Sequence, residues 1–270
     1  MIRFCIAAVA ALALAACSKA PEDVTAHYAV GGGAGTVIVK AAANGDARLE
    51  SGQQALVHKG GVDYMLITDS KGSVAANMTD FLAVIGELMR EDGAKPQTPP
   101  AQGDFELTKT GTDTVAGIKG EIWRITPKDP TKAPAGQTSD AVINSDPAFA
   151  HVGKALSMQT RLGAAMQQLQ GGSGSFDKLI QEMLDKGMVL RFDNTLKLDK
   201  LEKGPIDAKT FALPAVLDKA ALKKRLTEER DRMRAAQAAA PTGQPPIAMP
   251  PGEAAPAPAP KAAAPAPRKK

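Results

Sequence analysis

The sequence predicts an α+β domain, and three observations predict it. Short alternating runs bracket glycine pairs, as in QALVHKGGVDYMLITD, which is a hairpin pattern. Three other segments carry apolar residues at helical spacing instead. Between these signals, residues 24–214 form one stretch long enough to bury roughly 70% of its unfolded surface.

The chain opens with a lone Arg3 and an uncharged apolar run over residues 4–16. That run is shorter than the roughly 20 residues a membrane span requires, and it suits the core of a signal peptide. LAAC (Leu14, Ala15, Ala16, Cys17) resembles a bacterial lipobox. On that reading residues 1–16 are a lipoprotein signal peptide, Cys17 carries lipid, and residues 17–23 are a linker. The alternative is an ordinary secretory signal cleaved after A-x-A, with Cys17 left as a free thiol. Cys5 leaves with the leader, so a lipidated Cys17 leaves no thiol for a disulfide or a metal. Two acyl chains already suffice for stable anchoring, so the expected partner is a membrane. In the Gram-negative lipoproteins that the lipobox resembles, a residue other than aspartate after the cysteine, here Ser18, implies sorting to the outer membrane, facing the periplasm.

VTAHYAV and TVIVKAA read as strands separated by GGGAG. A two-residue turn at Gly60 and Gly61 then pairs Val57 with Tyr64 and Ala55 with Leu66 on one face. Leu56 with Met65 and His58 with Asp63 fall on the other. MTDFLAVIGELMRE has apolar residues at Phe81, Leu82, Val84, Ile85, Leu88 and Met89, and so predicts an amphipathic helix with Thr79 as N-cap. Proline-rich KPQTPPAQG ends it. FELTKT and VAGIKGEIWRIT predict strands joined across GTD, and adjacent Ile122 and Trp123 break alternation, implying a bulge or a sheet covered on both faces.

Asp146 as N-cap and Pro147 at the first helical position open a helix striped by Phe149, Val152, Leu156, Leu162, Met166 and Leu169. Phe176, Leu179, Ile180, Met183 and Leu184 make the cleanest helical stripe in the chain. In the last hairpin, a three-residue loop ending at Thr195 sets Phe192 against Leu196 and Leu190 against Leu198, which keeps apolar side chains on one face. Residues 215–239 predict a charged helix with a thin stripe of Leu222, Leu226 and Met233, contributing little to the core. Residues 240–270, where alanine and proline dominate, predict a basic disordered tail.

The net charge of +4 is unevenly spread. Residues 218–270 hold eleven basic side chains against five acidic ones, so the basic character belongs to the C-terminus and a nucleic-acid surface on the folded part is not indicated. Arg268, Lys269 and Lys270 are candidates for contact with peptidoglycan carboxylates or anionic head groups, adding on the order of 1 kcal/mol each near an anionic surface.

No H-E-x-x-H or G-x-S-x-G motif occurs, and GGGAGT lacks the lysine of a phosphate loop. His27, His58 and His151 are scattered and read as surface or locally paired groups. Met158, Met166, Met183 and Met188 lie on apolar stripes and read as packing rather than as soft-metal ligands. No catalytic constellation, metal site or cofactor is therefore expected, and the predicted function is binding rather than catalysis.

TDTVAGIKGEIWRITP and LDKGMVLRFDNTLKLDKLEKGPIDAKTFALP, with the helical insert between them, together resemble an uncharacterised family of periplasmic proteins with the LolA/LolB-like lipoprotein-carrier fold. The shared pattern is I-x-G before an alternating run, a strand opening of the G-x-P-L type, a hairpin and a closing F-x-L-P. The chain departs from it at Val189, where proline is frequent, and at PAVL, where PAGY is usual. The resemblance covers residues 24–216. It implies a strongly curved antiparallel sheet, a half-barrel wrapped around helices, with an apolar cavity that holds a lipid or acyl chain. The residues expected in that cavity or the adjoining core are Tyr28, Val39, Leu56, Met65, Ile122, Trp123, Leu156, Met166, Ile180, Met183, Leu190 and Phe192. Trp123 is placed in a central strand, as core or cavity wall, with a stacking platform as the alternative. An envelope scaffold acting through the basic C-terminal helix and tail is the other functional expectation.

Overall fold

The computed structural model describes residues 20–52, 54–93, 104–131, 138–169 and 175–239. The lipobox with Cys17 and the tail with Arg268, Lys269 and Lys270 lie outside the described residues. The chain divides into two compact units, Met1–Thr227 and Glu228–Lys270.

The first unit is α+β. Its elements run β1 (Val24–Val30), β2 (Gly35–Ala41), β3 (Ala47–Ser51), β4 (Gln54–Lys59), β5 (Val62–Asp69), β6 (Gly72–Asn77), α1 (Met78–Glu91), β7 (Phe105–Val115), β8 (Ile118–Pro127), β9 (Ser139–Asn144), α2 (Ala150–Leu169), α3 (Ser175–Leu184), β10 (Met188–Phe192), β11 (Leu196–Lys203) and β12 (Val216–Leu217), then the start of α4 (Lys219–Ala239). Among the described residues twelve strands form one sheet in the order β12-β6-β5-β4-β3-β2-β1-β11-β10-β9-β8-β7, antiparallel except where β12 runs parallel to β6.

Alternation decides which side chains face the helices. Val24, Ala26 and Tyr28 on β1, Val37, Val39 and Ala41 on β2, and Leu49 on β3 are buried at every second position. They share one core with Val152, Leu156, Met158 and Leu162 of α2 and Met183 of α3. α2 lies against β2, β3, β4 and β10, α3 against β7 and β8, and α1 against β5 and β6.

The Gly60–Gly61 hairpin has the expected register, with Val57 opposite Tyr64 and His58 opposite Asp63. Asp146 caps a 3₁₀ turn at Pro147–Phe149 that leads into α2. The three-residue loop holds too, since Phe192 faces Leu196 and Arg191 faces Lys197. The β10–β11 ladder stops there, so the pairing expected between Leu190 and Leu198 is not made; Leu190 is the bulged residue in the pairing of β10 with β9. Three further expectations are corrected, and the bulge expected at Ile122 and Trp123 is present. Asn77, not Thr79, caps α1, because its side-chain oxygen accepts from the Thr79 N–H. GTD lies inside β7, and the turn to β8 sits at Ala116 and Gly117, both at positive φ. The break at Ile122 and Trp123 matches a bulge on the partner strand, between Lys109 and Gly111. β8 is next to the sheet edge, so Trp123 is not central.

The compact unit also extends past Pro214, through β12 and the first two turns of α4. Leu222, expected to add little, is fully buried with Ala76, Val84 and Leu88. Arg225 grips Asp69 through Nε at 2.8 Å and a terminal nitrogen at 2.6 Å, and both side chains are nearly buried. Lys219 and Lys223 hold Glu87 of α1 at 2.8 and 2.9 Å, and their hydrogen bonds bring its carboxyl pKa down to about 2. In the second unit the described residues continue α4, where Arg232 pairs with Glu229 at 2.7 Å and Met233 is exposed.

Two tethers fix the strands that carry the site. Asp23, just before β1, accepts from the Ala43 and Ile206 N–H groups, each at 2.8 Å, tying the β2–β3 turn and the loop after β11 to the start of β1. Farther along, the Tyr28 hydroxyl donates to the carbonyl of Val189, beside the β10 bulge, at 2.9 Å. Burial pushes that hydroxyl's pKa well above the ordinary phenol range. Tyr28→Phe is expected to lower stability by about 1–2 kcal/mol, because it leaves a buried carbonyl without this donor. Denaturant titration reads this as a lower midpoint at unchanged slope.

Candidate functional site

The apolar space between sheet and helices lies where several strands end. Val30 at the end of β1, Val37 near the start of β2, Ser51 at the end of β3, Phe192 at the end of β10 and Leu196 at the start of β11 meet Leu156, Gln159 and Thr160 of α2 and Ile180 and Leu184 of α3. These residues, with Val189 and Thr195, line a cavity of about 350 Å³. Val37, Leu156, Leu184 and Val189 are buried and make its floor. Val30, Ile180, Phe192 and Leu196 are half-buried and Thr195 is exposed, so the cavity opens at this end of the strands.

The β-turn geometry explains the opening. Strands β1 and β2 separate at Gly31–Gly33, and a Cβ on Gly31 would lie 2.0 Å from the Asn194 carbonyl oxygen, so the β1–β2 and β10–β11 turns approach as closely as they do only over glycine. Ser51, Gln159, Thr160 and Thr195 supply uncharged hydrogen-bonding groups around the apolar floor.

No protein-family model matches the chain, and no curated protein matches it in sequence.

Of the residues expected in cavity or core, Leu156, Ile180 and Phe192 line the cavity. Tyr28, Val39, Leu56, Met65, Met183 and Leu190 are packed core. Ile122, Trp123 and Met166 are partly buried against that core and do not reach the cavity. Trp123 lies under Lys186, whose Nζ is 4.2 Å from the ring centroid, and its Nε1–H donates to Glu121 at 3.2 Å. Its exposed face is thus taken by a cation from its own chain. Val30, Val37, Ser51, Gln159, Thr160, Leu184, Val189, Thr195 and Leu196 were missed as lining residues. The one available signal was their position beside turns, since strand ends are where a sheet and its covering helices diverge.

Two other hollows differ in chemistry. On the opposite face of β2–β6, residues 212–214 cross over a groove of about 770 Å³ whose floor includes Ile38 and Leu66 and the Arg48–Glu50 ion pair. A smaller polar recess of about 340 Å³ holds Asp140, which pairs with Arg191 at 2.9 Å and Arg124 at 3.3 Å.

The three histidines have local partners. His151 Nε2 lies 2.8 Å from the Glu22 carbonyl, with its pKa lowered by burial, and His27 lies 3.8 Å from Glu202. His58 Nδ1 is 2.6 Å from Asp63, which also takes a hydrogen bond from Arg161 of α2 at 2.8 Å. Burial works to raise the Asp63 pKa, but these two partners outweigh it and hold the carboxyl below its usual range. A carboxylate with a depressed folded pKa stabilises the fold above its unfolded pKa, and that contribution disappears as pH falls through the folded value. Asp63→Asn is therefore expected to be less stable than the parent at pH 7, with the difference closing below about pH 3. Thermal melts across that range measure the closing gap.

Proposed function

We propose that the protein is a lipoprotein of the bacterial envelope, anchored through Cys17, that binds an apolar ligand between sheet and helices and catalyses no reaction. The observation that carries the reading is the cavity of about 350 Å³ with its apolar floor, which falls within the range of about 300–1,000 Å³ typical of small-molecule sites. Among the described residues its lining holds no acid, base or nucleophile arrangement of the kind hydrolysis or transfer requires. The reading is also supported by LAAC at residues 14–17, and by the approach of β7 to β11, which are not neighbours in the sheet. Such an approach fits a sheet bent back over its helices, as the resemblance to lipoprotein carriers implies.

Binding is tested on the full-length Cys17→Ala chain, which carries no acyl chains of its own to compete. A naphthylamine dye that fluoresces in apolar surroundings should bind saturably, and Ile180→Trp, which fills the half-buried mouth, should weaken that binding at least tenfold without lowering the melting temperature. Absence of saturable binding, or equal binding by the filled variant, rejects the cavity as the site. Anchoring is tested separately: the Cys17→Ala protein should leave the membrane fraction, and its retention there after a carbonate wash rejects the anchor.

A further inference from the structure

The lining of the cavity has a property that narrows its ligand, on the reading that the cavity is a binding site. Among the described residues none of the side chains lining it ionises: the floor is Leu156, Leu184, Val37 and Val189, and the polar groups at the mouth are hydroxyls and one amide. Of the charged residues that flank the lining in sequence, Glu50 lies in the groove on the other face with Arg48, Lys197 alternates with Leu196 and Leu198 along β11, and Asp185 accepts from Gln181. Arg161 bonds Asp63 and the Ser157 hydroxyl, Arg191 bonds Asp140, and the Asp193 carboxylate accepts from Ser139 Oγ at 2.6 Å and the Asp140 N–H at 2.7 Å.

A charged head group entering this mouth would give up water and meet no counter-ion, whereas a neutral donor or acceptor would exchange water for Ser, Thr and Gln groups of comparable strength. We infer that the cavity selects a single-chain amphiphile with an uncharged hydrogen-bonding head, an alcohol, amide or ester, over the corresponding carboxylate or ammonium. The chain lies on Leu156, Leu184 and Val189, and the head meets Gln159, Thr160 and Thr195. A volume near the lower end of the usual range matches one short chain rather than a multiply acylated lipid.

The test is displacement of the naphthylamine dye from the full-length Cys17→Ala chain at pH 8 by decanol, decanamide, decanoate and decylammonium, each below its aggregation concentration. The neutral pair is expected to displace the dye at concentrations at least tenfold lower than the charged pair, with decanoate closing the gap as pH falls toward 5 and it takes up a proton. Gln159→Met combined with Thr160→Val should reduce the advantage of decanol over decanoate, each displacement being scaled to the dye affinity of the same variant. Equal displacement by all four, or preference for a charged head, overturns the inference while the cavity reading stands. An unchanged decanol advantage in the double variant overturns the placement of the head. A dye that never binds saturably rejects the underlying cavity reading instead.

Discussion

Removing residues 215–270 is expected to lower the melting temperature by about 10 °C or more, whereas removing only residues 240–270 leaves it unchanged. The longer deletion takes away Leu222, which is fully buried against Ala76, Val84 and Leu88. It also removes the guanidinium of Arg225 from Asp69, whose carboxylate is nearly buried. Truncating a buried leucine costs about 2–5 kcal/mol, and breaking a buried ion pair costs about 3–5. Either is a large share of a total stability of about 5–15 kcal/mol. The β12 pairing with β6 is lost as well. Two substitutions in the full chain separate the contributions: Leu222→Ala and Arg225→Ala should each destabilise, while Met233→Ala, at an exposed position of the second unit, should not. Equal melting temperatures for the two truncations would place the end of the folded unit before β12.

The second large effect is a reversal of sign within one helix. Gly153→Ala in α2 is expected to destabilise by at least about 3 kcal/mol, and Gly163→Ala to stabilise by up to about 1 kcal/mol. A Cβ on Gly153 would lie 2.3 Å from the Gly187 carbonyl oxygen and 2.7 Å from its carbon, so α2 or the start of β10 must move. Gly187 has little freedom to yield, because its own position against the Asn144 carbonyl admits no Cβ either. Gly163 is exposed with open space around it, and alanine there removes only the backbone entropy that glycine adds to a helix. Since α2 supplies Leu156, Gln159 and Thr160 to the cavity, Gly153→Ala should also weaken dye binding, and Gly163→Ala should not. Chemical denaturation of both variants alongside the parent measures the reversal.

These effects show which parts of the fold were legible in the sequence. The Gly60–Gly61 hairpin and the Asp146–Pro147 helix start were readable because turn and cap chemistry is local. Strands β3, β6 and β9 were not identified, since ARLES, GSVAAN and SDAVIN are short and carry small residues whose alternation is faint. β12 has only two residues and exists through its partner β6. In α4, Leu222 stands among lysines and arginines, and the helix therefore reads as solvated. Its burial depends on Glu87 and Asp69, distant in sequence, to satisfy those cations. The cavity was legible as a type of space and less so in its residues. Large apolar side chains in mid-strand, such as Tyr28, Val39 and Leu56, were the natural candidates, yet they pack solid, and the hollow forms at strand ends from Val30, Thr195 and Leu196, which have no distinguishing local pattern.

The Asp23 clamp gives the cavity a direction. Asp23 locks the start of β1, while the mouth lies beyond Val30 at its other end, about 20 Å away for a strand of this length. Only five residues separate Cys17 from Asp23, a reach of at most about 20 Å. If Cys17 carries the anchor proposed above, the domain would present the β2–β3 turn toward its own bilayer and hold the mouth on the far side. On that proposal a ligand would be exchanged with whatever faces the mouth across the aqueous gap, and lipid lying in the anchoring leaflet would have no short path in.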